Sequence, residues 1–526
     1  MDQLVLIFLV LLATILAEPL SRRVGLPPAV LLTVFGCVLA VVPAVPMVHI
    51  DPDLILPLVL PPLLYASARR TSWREFAANW GPITMRAVGL VLATAAAVAA
   101  VFHAWYPALP LAAAVALGAL VAPPDPVAAT ALAGRLGLPR RLVSMLEGEG
   151  LFNDVTALVV YGVAVQAVVT GRFSTLDALG DFVLSAVVAV AVGLALGWAG
   201  SRLMGWLEEA TWKVALTLLL PFAAFGLAEA WSGSSVLAVL VCALYLTDAV
   251  THSDDADYRL VGESFWEIIE MLVSGFAFGL IGLELGTVLE TVGSDWDRLA
   301  GGAALVIAVV VGLRLVWLMA TWLLFTRRNT GHQADEPYTW RETLVTWWAG
   351  MRGVATVALA LAIPLTTDDG APFPGRAEIL FTAFAVVLFT LLLQGPTLPL
   401  VVRLTGVHAD TERERTLERE LWTRVLRAEL ARLKEIAEHQ DLPDEYYERL
   451  RSMFLQRLAR ADPEAADEDA RAGARRDAKL LGRMRAVQEE VLAAGRREAL
   501  AARREPGMPP DLVDRVMRRL DLRSAS

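Results

Sequence analysis

MLEGEGLFNDVTALVVYGVAVQ, residues 145–166, sets Glu147, Glu149 and the adjacent pair Asn153 and Asp154 at the head of an otherwise apolar run. A carboxylate at bilayer depth costs roughly 3 kcal/mol on insertion scales and about 10 kcal/mol in simulations, so it is kept where it faces protein or water and is used. On a helix turning about 100° per residue, Glu147 and Asp154 lie within about 20° of one another and Gly150 sits one turn before Asp154. Glu149 shares a face with Asn153. Asp154 is therefore the candidate ion ligand, and Glu149 is a buried acid that needs a counter-charge.

The rest of the chain is built for a membrane. Of its 526 residues 56% are hydrophobic and only 19% charged, with 15 Trp, which is too apolar for an ordinary soluble enzyme of this length. Runs long enough to cross about 30 Å of hydrocarbon recur from residues 2–17 and 28–48 to 340–364 and 376–403, about thirteen in all. The first has no basic leader and no small-residue cleavage site, so it is expected to be a retained span. Basic residues fall in alternate connections: Arg22 and Arg23; Arg69, Arg70 and Arg74; Arg135, Arg140 and Arg141; and so on to Arg327 and Arg328. The positive-inside rule then predicts a multi-pass plasma-membrane protein with its N-terminus outside and its C-terminus in the cytoplasm.

Several classes drop out. Cys37 and Cys242 both sit in apolar runs and imply no disulfide framework. The six His are scattered, so no metal constellation and no cofactor is expected. A net charge of -10 argues against nucleic acid. HExxH and GxSxG are missing, and with them the usual signs of a membrane-embedded enzyme. After residue 408 acids and bases balance, and Leu417, Leu421, Val425 and Leu430 recur at helical spacing. The expected domains are thus a transmembrane part, 1–407, and a cytoplasmic amphipathic helical tail, 408–526, interrupted near Pro443, Pro463 and Pro506–Pro510.

Two spans contain a break. VAPPDPVAATAL, 121–132, places three prolines around Asp125, and proline inside a helix removes a hydrogen bond and clashes with the preceding turn. WWAGMRGVATVALAL, 347–361, places Arg352 between Gly350 and Gly353. Irregular backbone inside a membrane is tolerated where protein buries it or a cavity adjoins it. Interrupted helices in corresponding positions of two halves point to an inverted repeat with a midplane site. Asp125 either ligates the ion or caps the half-helix that starts there; Asn153 either belongs to the site or bonds between helices. Arg352 is the best-placed cation for Glu149, so a Glu149–Arg352 ion pair is expected. Arg314 in VVGLRLVW reads as helix packing. Glu229, Asp248, Glu263, Glu267, Glu270 and Glu284 lie near span ends, where solvated or interfacial roles are the default.

At these residues the chain resembles the monovalent cation:proton antiporter superfamily, specifically the bacterial NhaP-like sodium/proton exchangers. PPDPVAAT, EGEGLFND, LIGLEL and AGMRGVATVALAL carry the resemblance, jointly and in that order. It covers roughly residues 3–405. The resemblance implies an all-α fold of thirteen spans, usually a homodimer, whose core domain moves against a dimerisation domain. It implies an ion site at Asn153 and Asp154, completed by Asp125 and supported by Glu149 and Arg352. It further implies exchange of a monovalent cation (Na+, Li+ or K+) for protons by alternating access. An Asn-Asp pair looks like the electroneutral exchangers. Three ligands common in the family are replaced here, by Pro124, Gly150 and Ala66. Water or the carbonyls of residues 121–124 are expected to complete the shell. A cation channel and a proton-coupled solute symporter are the rival readings.

Overall fold

The computed structural model describes residues 3–42, 52–70, 80–125, 127–171, 175–251, 256–291, 296–328, 339–409, 411–439 and 443–461. Pro126, Arg74, Pro463 and the Pro506–Pro510 segment, each used above, lie outside these. The described residues form helices, with one isolated bridge between Thr366 and Pro372. The chain divides into two compact units, residues 1–409 and 410–526.

The first unit begins with α1 (Gln3–Val24), α2 (Pro28–Val41) and α3 (Pro52–Arg70). Next comes α4, a continuous rod of Trp80–Thr84, Met85–Leu90 and Val91–Trp105 whose middle part winds as a wider π turn. The first broken span is α5 (Leu111–Val121) followed by α6 (Val127–Leu136). The quoted stretch lies within α7 (Arg140–Thr170), which runs unbroken until Gly171 ends it in a left-handed conformation, φ 65°. Then come α8 (Thr175–Met204), α9 (Ala210–Ala230), α10 (Ser235–Thr251), α11 (Ala256–Thr291) and α12 (Trp296–Arg328). The second broken span is α13 (Trp340–Trp348) and α14 (Val354–Leu361). The unit closes with α15, Arg376–Thr405, which carries a second π turn at Thr390–Gln394.

Eight of these helices are long and apolar enough to cross a membrane, and α2, α5 and most of α10 are shorter apolar helices. α5 is apolar all round, and residues 116–121 are fully buried. That is the pattern of a helix enclosed by others. Conversely Phe8, Leu16, Trp198, Leu219, Val316 and Leu404 stand more than half exposed. Large apolar side chains on an outer surface suit hydrocarbon as the surrounding solvent.

The start of the second broken span is fixed by one acid. Thr339 and Glu342 form a capping box at the head of α13, with Glu342 Oε2 accepting from the Thr339 N–H at 2.8 Å. Glu342 Oε1 accepts from Arg141 at the head of α7, at 2.9 Å from Nε and 2.6 Å from Nη2. One carboxylate thus satisfies an orphan amide, while the Thr339 hydroxyl takes the Glu342 N–H at 3.2 Å, and it ties the two helices that lead to the site.

In the second unit, α16 (Thr411–His439) packs on α17 (Asp444–Ala461). The buried stripe of α16 is Thr423, Leu426 and Leu433, while Leu421 and Val425 are exposed. The stripe expected from the sequence is rotated: residues seven apart share a face, and Leu426–Leu433 is the pair that turns inward.

Glu342→Ala is expected to lower stability by about 1–3 kcal/mol, through loss of the cap and of a part-buried ionic hydrogen bond. Thermal unfolding of the detergent-solubilised protein measures it; an unchanged midpoint would show that the cap is dispensable.

Candidate ion-binding site

Breaking α5 at Val121 inside an apolar bundle frees carbonyls that helix geometry would otherwise pair. Arg352, fully enclosed in the second break, answers them. Its Nε donates to the Val121 carbonyl at 3.0 Å and its Nη2 to the Ala122 carbonyl at 3.2 Å, and its Nη1 donates to the Gly350 carbonyl. A guanidinium at the C-terminal end of a helix also meets the negative end of its dipole. The backbone N–H of Arg352 donates to Thr390 Oγ1, at the π turn of α15, at 3.0 Å.

Asp125 performs the opposite task. Its N–H donates to the Met351 carbonyl at 2.7 Å. Its Oδ1 accepts from the Val127 N–H at 2.9 Å and its Oδ2 from the Val354 N–H at 3.2 Å. One carboxylate therefore caps both half-helices that start at the two breaks, α6 and α14, where the dipole favours negative charge. A Cβ at position 353 would overlap this carboxylate, so the approach requires glycine there. Of the two sequence readings of Asp125, the cap is the one with observed contacts, and it brings both breaks together.

The expected Glu149–Arg352 ion pair is not formed. Glu149 pairs with Arg314 of α12, Nη1 to Oε1 at 2.5 Å, with both side chains 2% exposed. Arg314 Nη2 also donates to the Thr346 carbonyl in the last turn of α13 at 3.3 Å. The reason lies in the breaks: Arg352 is held by three orphan carbonyls, so Glu149 takes the next cation. Arg352 remains within electrostatic reach of both Glu149 and Arg314. Arg314 is the residue that sequence reasoning undervalued. Its signal was present, a lone cation inside an apolar span, but nothing in VVGLRLVW reveals which helix it faces.

Asn153 is fully buried on α7, and its Nδ2 donates to the Pro124 carbonyl at 2.8 Å while its Oδ1 has no partner. Gly150 is buried one turn earlier and adds no side chain to the site. Asp154 differs from the other acids at the crossing. It is half-buried, no described donor reaches its carboxylate, and it lies close enough to Asp125 for the two charges to repel. It faces a cavity of about 10 Å³, on the order of one water, whose other walls include Leu60, Leu64, Pro123, Val236, Ala355 and Leu359. Most of the backbone oxygens expected to complete an ion's shell are engaged: Val121 and Ala122 by Arg352, and Pro124 by Asn153. Pro123 is the residue of that run that lines the cavity. Glu284, expected near solvent, is instead 8% exposed.

The charges at the crossing therefore sort themselves. Asp125 and Arg352 serve the helix ends, and Glu149 and Arg314 neutralise each other. Asp154 is left as an acid that the protein does not satisfy.

The sequence profile of the transmembrane sodium/hydrogen exchangers matches residues 7–404. The chain belongs to this family. A sodium/hydrogen exchanger of Mycobacterium tuberculosis, itself uncharacterised, is 35% identical over 476 residues, covering 88% of this chain and 86% of the relative. The sodium, potassium, lithium and rubidium/H+ antiporter of Bacillus subtilis is 31% identical over 415 residues, 75% of this chain and 61% of that one. The solved structure of the sodium proton antiporter MjNhaP1 from Methanocaldococcus jannaschii aligns with a TM-score of 0.59 at 20% identity, covering 77% of this chain and 98% of that chain. That likeness shows a shared fold. This exchanger is thus a multi-pass membrane transporter of the cation/proton antiport class. The channel and symport readings lose their support.

Arg314→Met is expected to strand Glu149 and cost about 3–5 kcal/mol. Adding Glu149→Gln should recover much of that, whereas Glu149→Gln should not rescue Arg352→Met, because orphan carbonyls remain. Unfolding midpoints of the four variants decide it, and rescue of Arg352→Met would restore the pairing expected from sequence.

Proposed function

We propose that Asp154 is the site at which one monovalent cation and one proton compete, and that the loaded site is carried between the two sides of the membrane by alternating access. The observation that carries this is the charge inventory: of the acids at the crossing, Asp154 alone lacks a described donor, and it faces a cavity. A carboxylate with room for one small guest is neutralised equally by a cation or by a proton. Exchange follows from that mutual exclusion. One charge for one charge also makes the cycle electroneutral.

Asn153, immediately before Asp154, and Asp125, within electrostatic reach of it, belong to the same site. Glu149, Arg314 and Arg352 hold the broken helices around it. Na+ is the first candidate substrate, and Li+ and K+ are the alternatives to be separated by assay; the Bacillus subtilis relative is named for all three. The architecture we infer has about thirteen crossings, with α5–α6 and α13–α14 each forming one broken crossing of an inverted repeat. The N-terminus lies outside, the tail lies in the cytoplasm, and the exchanger is a plasma-membrane homodimer serving pH homeostasis.

Proteoliposomes holding a pH-sensitive dye test the reading. Na+, Li+ and K+ added in turn to wild-type protein should release protons. The rate should be bell-shaped in pH, since protons stop displacing cations when scarce and cations stop displacing protons when protons abound. Asp154→Asn should abolish the response. Normal exchange by that variant, or proton flux in the direction of the cation, would sink the proposal.

A further inference from the structure

α14 has a cavity on each side. Ala355 and Leu359 face the Asp154 cavity, whereas Val354, Val357 and Leu361 face a second one of about 20 Å³, bounded also by Val59 of α3 and by Glu284 of α11. That space holds on the order of one or two waters. Glu284 is the ionisable residue of its lining and is 8% exposed. An acid enclosed in a membrane helix and facing a cavity is a functional-site candidate. The two cavities share α14 as a wall, and the N–H of Val354, which lines the second, is held by Asp125 Oδ2.

We propose that the second cavity is a weak transit site, in which Glu284 holds a partly hydrated monovalent cation on its way to or from Asp154. The inference rests on the Asp154 reading above. Arg376, the first residue of α15, is within electrostatic reach of Glu284 and donates from Nε to the Ile363 carbonyl, just past the end of α14, at 3.1 Å. A guanidinium so placed repels a cation seated beside Glu284 and keeps its residence short. Sites along a transport route need that balance, attractive enough to enter and weak enough to leave. The rest of the lining is aliphatic, so Glu284 is the charged side chain that it offers a cation.

Transport kinetics and equilibrium binding test this together. Glu284→Gln keeps the shape of the side chain and removes its charge; it should raise KM for Na+ roughly five-fold or more, with a smaller change in kcat. Glu284→Asp keeps the charge and should retain most of the affinity. Equal losses in both variants would indicate packing alone and overturn the proposal. Binding of radioactive Na+ to the purified full-length protein should show a tight and a weak component. Asp154→Asn should abolish the tight one and leave the weak one, which the Asp154→Asn/Glu284→Gln variant should lose. No weak component in Asp154→Asn, or one that persists in the double variant, overturns the second site. A tight component that survives Asp154→Asn instead overturns the assignment of Asp154.

Discussion

A helix that stops inside hydrocarbon leaves carbonyls and amides with no water to take them, and the protein must answer each one. That requirement governs the crossing of the two broken spans. Arg352 serves the carbonyls where α5 ends, Arg314 serves one where α13 ends, and Asp125 serves the amides where α6 and α14 begin. Each break supplies the charge that the other one needs. Neither would be stable alone, and the glycine at 353 lets them approach closely enough to share Asp125.

The proposed function follows from what this arrangement leaves over. An ion pair between Glu149 and Arg314, buried and sharing one good hydrogen bond, removes those two charges from consideration. Asp125 and Arg352 are engaged by backbone. Asp154 sits a residue beyond Asn153, whose amide grips Pro124, and it receives nothing comparable. An acid in such a place suits the guest that arrives and departs in the proposed exchange.

Much of this was legible in the sequence. Prolines around Asp125 and glycines around Arg352 announce interrupted helices, because their backbone chemistry is local. Asn153 and Asp154 stand out because polar pairs are rare in apolar runs. What the sequence hides is rotation and partnership. Glu149 and Arg314 are 165 residues apart, and which of two buried arginines meets the acid depends on where the carbonyls of α5 fall. Glu284 was hidden similarly: its position near the end of an apolar run suggests solvent, whereas α3 and α14 pack over it. The α16 stripe was misjudged through helical phase, since several apolar residues compete for one face.

The wall opposite Asp154 has a mechanical consequence. Leu60, Leu64 and Val236 come from α3 and α10 and carry only aliphatic carbon, so nothing in them favours one height of the carboxylate over another. α7 is meanwhile latched to both broken spans, through Asn153 on Pro124 and through the Tyr161 hydroxyl on the Leu359 carbonyl at 2.8 Å. Under the proposed alternating access these three side chains would act as a lubricated bearing, since they offer the latched helices no directional bond and little to hold them at any intermediate stop.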